Sequence, residues 1–191
     1  MINTNLSKNT LIYAAGQFGS RIITFIIFPM YTFYLSKEDI GYYQIILTTI
    51  SLLIPIINFQ VETAVLRWML EAKDSAERGK IFTNAILFIT LNSFVSGIVY
   101  VIVTYYYPFK NSNMILLMAI SQVYYPIILQ TVRGLKDNIL YVKTGVIFSV
   151  LVLLLNVTLI GFFNLKLGGV ILSNVVATII TTIYAIGKRN L

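Results

Sequence analysis

Long apolar runs separated by short charged connectors dominate the chain. Six of them are long enough, or nearly so, for a helix crossing a hydrocarbon core, which takes about 20 residues. They are Leu11–Leu35, Tyr42–Leu70, Ile81–Tyr107, Met114–Val132, Tyr141–Phe163 and Leu167–Ile186. No period-two alternation competes for a strand reading, and helices satisfy their own backbone groups in lipid, which open sheets cannot do. The second run is too long for one straight span, and Pro55 offers a kink or a break within it. The first run exceeds the about 7–15 apolar residues of a cleavable signal, carries Arg21 internally and lacks a small-x-small cleavage site. It reads as a retained span. The expected fold class is an all-α integral membrane protein, with residues 1–191 forming a single six-helix lobe and no soluble domain, linker or repeat.

Charge placement orients these spans. Lys8, Lys73, Arg78, Lys80, Arg133, Lys136, Lys143, Lys188 and Arg189 fall at one set of helix ends, and only Lys37, Lys110 and Lys166 at the other. Nine basic residues against three put both termini in the cytoplasm by the positive-inside rule. The same dispersal accounts for the net charge of +7. A nucleic-acid partner is not expected, because that would call for a basic patch interleaved with exposed aromatics.

Composition sharpens the class. The chain is 58% hydrophobic and 11% charged, against roughly 45–50% and about 25% in soluble domains. Cysteine and histidine are both absent, which removes disulfides, thiol chemistry, imidazole acid–base catalysis and imidazole metal ligands. Glu71, Asp74, Glu77 and Asp137 stand among Lys and Arg as solvated loop charge. No nucleophile–base arrangement is visible, so an enzyme is not expected, nor a cofactor or a metal site.

Ionisable groups inside spans are expensive, and each is a functional candidate. Arg21, Glu62 and Arg67 qualify. Arg21 shares a stripe with Tyr13, Gln17, Ser20, Thr24 and Tyr31 at helical spacing, a face suited to a helix interface or a wet cavity. Arg21 and Glu62 lie about 15 Å and about 12 Å from the same side by helical rise, on consecutive antiparallel segments. They are expected to face one cavity and to pair, with Asn58 extending the polar face one turn from Glu62. Glu62 is open between a structural counter-ion and a proton-titrating group. Arg67 lies near a helix end, where snorkelling to the interface competes with a cavity role. On the fourth run Gln122 and Gln130 flank Pro126 at i, i+4 spacing on one face. Asn156, Ser173, Asn174, Thr178, Thr181 and Thr182 read as hydrogen-bonding groups between helices.

Two stretches carry a resemblance. Asn9–Gly41, NTLIYAAGQFGSRIITFIIFPMYTFYLSKEDIG, joins a polar-interrupted span to Pro-x-Tyr-Thr and then to Tyr-Leu-Ser before an acidic pair, Ile40 and Gly41. It continues through Tyr43 to VETAVLRWML at Val61–Leu70. With Arg133–Gly134 followed by Tyr141, the pattern resembles bacterial polysaccharide flippases, the O-antigen and capsule repeat-unit exporters of the multidrug/oligosaccharidyl-lipid/polysaccharide superfamily. The resemblance implies one lobe of a two-lobe, MATE-like alternating-access transporter of the bacterial inner membrane. Its substrate would be a polyprenyl-pyrophosphate-linked oligosaccharide, and its other partners membrane lipids and an absent second lobe or a second copy. It also implies a cavity role for Arg21 opposite an anionic pyrophosphate or acidic sugar. The alternatives are a multidrug or lipid-precursor exporter of the same superfamily, or a non-transporting membrane assembly subunit.

Overall fold

The computed structural model describes residues 18–19, 21–23 and 25–189, and these form an antiparallel helical bundle with no strand among the described residues. Its helices are α1 (Arg21–Tyr34), α2 (Lys37–Asn58), α3 (Val61–Glu71), α4 (Ser75–Tyr106), α5 (Ser112–Gly134), α6 (Asn138–Asn156) and α7 (Lys166–Arg189). A π-helical turn, Val157–Phe162, extends α6. Five segments are long and apolar enough to cross a membrane: α2, α4, α5, α6 with its π turn, and α7. The chain is therefore a multi-pass membrane protein. The start of the first expected span, with Tyr13 and Gln17, lies outside the described residues, as do Ser20 and Thr24.

Local chemistry sets the helix starts. Ser36, Asp74 and Asp137 each use a side-chain oxygen to accept the backbone N–H three residues on, from Asp39 (3.1 Å), Glu77 (2.7 Å) and Leu140 (3.0 Å). Each satisfies one of the donors that a helix start leaves open. Glu77 adds a reciprocal arm by accepting from the Lys73 N–H at 2.8 Å, close to a capping box. These caps begin α2, α4 and α6 a few residues before the apolar runs.

The long second run divides, but not at its proline. Pro55 sits inside α2, and the helix ends three residues later at Asn58, just before Phe59 and Gln60, whose φ angles are 47° and 54°. Proline's φ suits a helix and removes only one ladder bond. Two consecutive non-glycine residues in the left-handed region interrupt the helix, at about 1–2 kcal/mol each. The break is held from outside. Asn58, fully buried, donates through Nδ2 to the Val123 carbonyl of α5 at 3.2 Å.

The remaining packing centres on α7. Ser173, Ala177, Thr181 and Ala185 form a fully buried small-residue row at i, i+4 spacing, which lets α5 and α6 approach closely. The Ser173 and Thr181 hydroxyls donate back to the Gly169 and Ala177 carbonyls, each at 2.7 Å, so no polar atom in that row is stranded. In contrast, α4 buries only Ala85 and Ile89. The rest of its length presents Leu, Ile, Val and Phe outward and ends in exposed Tyr105, Tyr106 and Tyr107.

Candidate functional site

Two contacts fix how α2 and α3 lie along α5. Asn58 meets Val123, and a β-carbon built on Gly134 would collide with Met69 Cβ. Both pairs differ by 65 positions (123 − 58 and 134 − 69), so the broken α2–α3 segment runs parallel to α5 in constant register. Glu62 then lies level with Ile127, Val65 with Gln130 and Leu66 with Thr131. Glu62, Val65 and Met69 share one face of α3 at i, i+3, i+7 spacing, and Val65 and Met69 are buried against Ile127 and Val123.

This seam collects polar atoms within an otherwise apolar interface. Asn58 Oδ1, Glu62 Oε2, Gln130 Oε1 and Thr131 Oγ1 are all shut off from solvent, with no hydrogen-bond partner among the described residues. On the same helix, Pro126 has no N–H to give the Gln122 carbonyl its helical bond. The sequence reading placed Asn58, Glu62, Gln122 and Gln130 on polar faces; the register gathers Asn58, Glu62 and Gln130 along one seam, whereas Gln122, about 100° round α5 from Val123, lies off it. Thr131 was missed: a lone threonine in an apolar helix normally bonds back to its own backbone.

The arginines are distributed differently. Arg21 is exposed, and the ion pairs among the described residues are Arg67–Glu71 and Lys110–Asp39, so Arg21 and Glu62 form no pair. The expected pairing fails because Glu62 turns towards α5, along the Val65–Met69 face. Arg67 Nε donates to Glu71 Oε1 at 3.0 Å across one helical turn, with both side chains largely exposed. That geometry fits a helix-surface pair. Gln17 lies outside the described residues.

A second polar centre joins α1, α2, α6 and α7. Tyr43 is buried in α2 and accepts from Asn174 Nδ2 at 3.1 Å, and the Tyr31 ring meets it edge-on at 5.9 Å. Asn156, fully buried where α6 becomes π-helical, donates to the Val152 carbonyl at 2.8 Å and leaves Oδ1 without a partner. Tyr43 entered the sequence reading only as part of the family pattern, and its polar contact was not anticipated because a tyrosine in an apolar run looks like core. Its partner lies 131 positions away.

Between α2, α4 and α5 lies a cavity of about 490 Å³, walled by residues such as Ile50, Leu53, Ile57, Val99, Val103 and Ile120. Its wall is almost wholly apolar, and none of the six described sequence-predicted site residues lines it. It suits a hydrocarbon chain, not a phosphate or a sugar. No group of three acidic residues that could hold a metal ion occurs among the described residues.

A family profile described as "Polysaccharide biosynthesis protein" matches residues 6–187, nearly the whole chain. The chain belongs to that family. No curated protein and no solved structure matches it. Membership in the polysaccharide biosynthesis family places this bundle of apolar helices, with its polar α3–α5 seam, in the making of polysaccharide.

Proposed function

We propose that this family member carries a lipid-linked saccharide across the bacterial inner membrane by alternating access, the substrate being a polyprenyl-pyrophosphate-linked repeat unit of a surface polysaccharide. The observation that supports the reading most is the family match across residues 6–187 on a chain with five apolar helices long enough to cross a bilayer. Polysaccharide precursors are assembled on lipid carriers, and a membrane bundle without evident catalytic groups is suited to moving them. In this proposal both termini face the cytoplasm and the chain is not an enzyme. A second six-helix lobe or a second copy completes the translocation path.

Arg21 is assigned the anionic end of the substrate. Guanidinium binds phosphate oxygens in a bidentate fork, and Arg21 is exposed and uncommitted to an acidic partner among the described residues. The test is translocation of a fluorescent polyprenyl-pyrophosphate saccharide into vesicles carrying the full chain, compared with the Arg21→Ala variant. Flipping that falls about tenfold or more in Arg21→Ala, with membrane insertion intact, supports the assignment. Indifference to the saccharide, with export of cationic drugs intact, would replace it by the multidrug alternative. Export in cells left unaffected by Arg21→Ala and Glu62→Gln, with truncations that abolish partner association, would favour a non-transporting assembly subunit.

A further inference from the structure

Helix α4 is packed unevenly along its length. Its buried residues, Ala85 and Ile89, both lie in the half nearer Ser75. The half leading to Tyr106 is tied down at Tyr100, which donates to the Ser112 carbonyl at 2.7 Å and meets the Phe109 ring edge-on at 5.8 Å. Between these two anchorages α4 stands off from α2 and α5 across the apolar cavity of about 490 Å³. No charged side chain lines that cavity. Its lining residues Leu53, Ile56, Val95, Val99 and Val103 are exposed, so it is a groove open on one side. In a bundle of membrane-spanning helices that side faces lipid. Walls without partner atoms forfeit dispersion contacts, which a hydrocarbon chain restores.

Depth and mouth select the occupant. From Val103 to Ser93, both on the groove wall, α4 rises about 15 Å, half of a hydrocarbon core of about 30 Å. The deep end is shut, because Ile57 and Val123 on the wall also pack in one cluster with Ala85 and Ile89. Ser93 stands roughly midway along the apolar part of α4, so the groove starts at one interface and stops near the middle of the bilayer. An acyl chain of one leaflet ends there. A transmembrane helix of a second lobe or a second copy would need the groove to continue across the whole core, and a polyprenyl tail longer than one leaflet would overrun it. The mouth is polar. Lys110 follows Phe109, which lines the groove; its carbonyl accepts from Tyr42 at 3.0 Å and its exposed Nζ pairs with Asp39 at 2.9 Å. An ammonium has three donors, which leaves N–H groups for a phosphate oxygen. We propose that the groove between α2, α4 and α5 holds one acyl chain of a membrane phospholipid, with the phosphate at Lys110 and the chain packing the far half of α4 onto α2 and α5. The site stands independently of the transport reading, since it needs no saccharide.

Gly97 supplies the test. It lines the groove, and a β-carbon built on it meets nothing within 4 Å, so Gly97→Leu fills the space without a clash and with a better helix former. The full chain is purified in a steroid-based detergent, which has no alkyl chain to compete, stripped of lipid, and melted with increasing palmitoyl-oleoyl phosphatidylethanolamine. The phospholipid should raise the Tm saturably, by about 5–10 °C at a hundredfold excess over Kd, and native mass spectrometry should find a single molecule retained per chain. Gly97→Leu should melt no lower than the lipid-free wild type and lose both the retained lipid and the Tm response. Ile120→Trp, entering from the α5 wall, should do the same, which keeps the test open should Gly97→Leu fold poorly. A Tm indifferent to phospholipid, or a response unchanged in both variants, would overturn the site. So would displacement of the phospholipid by polyprenyl phosphate, which would give the groove to a substrate tail, or loss of lipid on dimerisation, which would give it to a second copy. Because the readout uses no translocation, a failed flipping assay leaves this result standing.

Discussion

Gly134→Ala probes the register on which the seam depends. The added β-carbon meets Met69 Cβ, with Met69 Cγ at 3.2 Å and the Leu66 carbonyl at 3.4 Å. A β-carbon is fixed to its backbone, so no rotamer change at Met69 relieves the overlap and α3 must move off α5. Overpacking of this kind costs about 1–3 kcal/mol. Alanine's helix preference over glycine returns at most about 1 kcal/mol, and less at the last turn. The net loss is then about 1–2 kcal/mol, or about 2–8 °C in Tm for a chain of this size. Thermal unfolding in detergent measures it. Met69→Ala in the Gly134→Ala background should fail to restore stability, because the clashing atom remains, whereas Met69→Gly should restore part of it. A Gly134→Ala protein as stable as wild type, or one fully rescued by Met69→Ala, would refute the close α3–α5 approach.

Three further outcomes are expected. Tyr43→Phe should destabilise the fold by about 0.5–1.5 kcal/mol through the lost Asn174 bond, the small end being favoured because Asn174 also donates to the Val170 carbonyl at 2.9 Å; chemical unfolding of the two proteins reads the difference. Asp74→Ala should cost about 1 kcal/mol by uncapping α4, while Asp74→Asn keeps most of it, as a side-by-side melt will show. Arg67→Ala should change stability by less than about 0.5 kcal/mol, because its pair with Glu71 is solvent-exposed; a larger loss in the same assay would mean that Arg67 has a buried partner.

Much of this architecture was legible in hydropathy. The runs at Met114–Val132 and Leu167–Ile186 sit inside α5 and α7, and the one to three extra residues at each end are polar or glycine positions that hydropathy does not see. The break in the second run was anticipated but misplaced. Pro55 is the visible signal, yet the turn is made at Phe59–Gln60, where no glycine or asparagine announces a left-handed backbone. Its anchor is a hydrogen bond from Asn58 to a residue 65 positions away. Polar residues of the seam were legible one at a time, as expensive groups in apolar runs. That Glu62 faces α5, not Arg21, depends on the register between α3 and α5, which no local pattern encodes.

Helix α4 carries a consequence for the membrane itself. Its 32 residues span about 48 Å, against a hydrocarbon core of about 30 Å. The polar first turns, Ser75–Lys80, belong in the headgroups, and the exposed tyrosines at 105–107 form an aromatic anchor at the opposite interface. The stretch between them still outruns a thin bilayer, so the helix must lean or the lipid must thicken around it. Because α4 forms one wall of the apolar cavity beside α2 and α5, acyl-chain length becomes a lever on that cavity. Shorter lipids tilt α4 and reshape its wall, and thicker membranes let the helix stand upright.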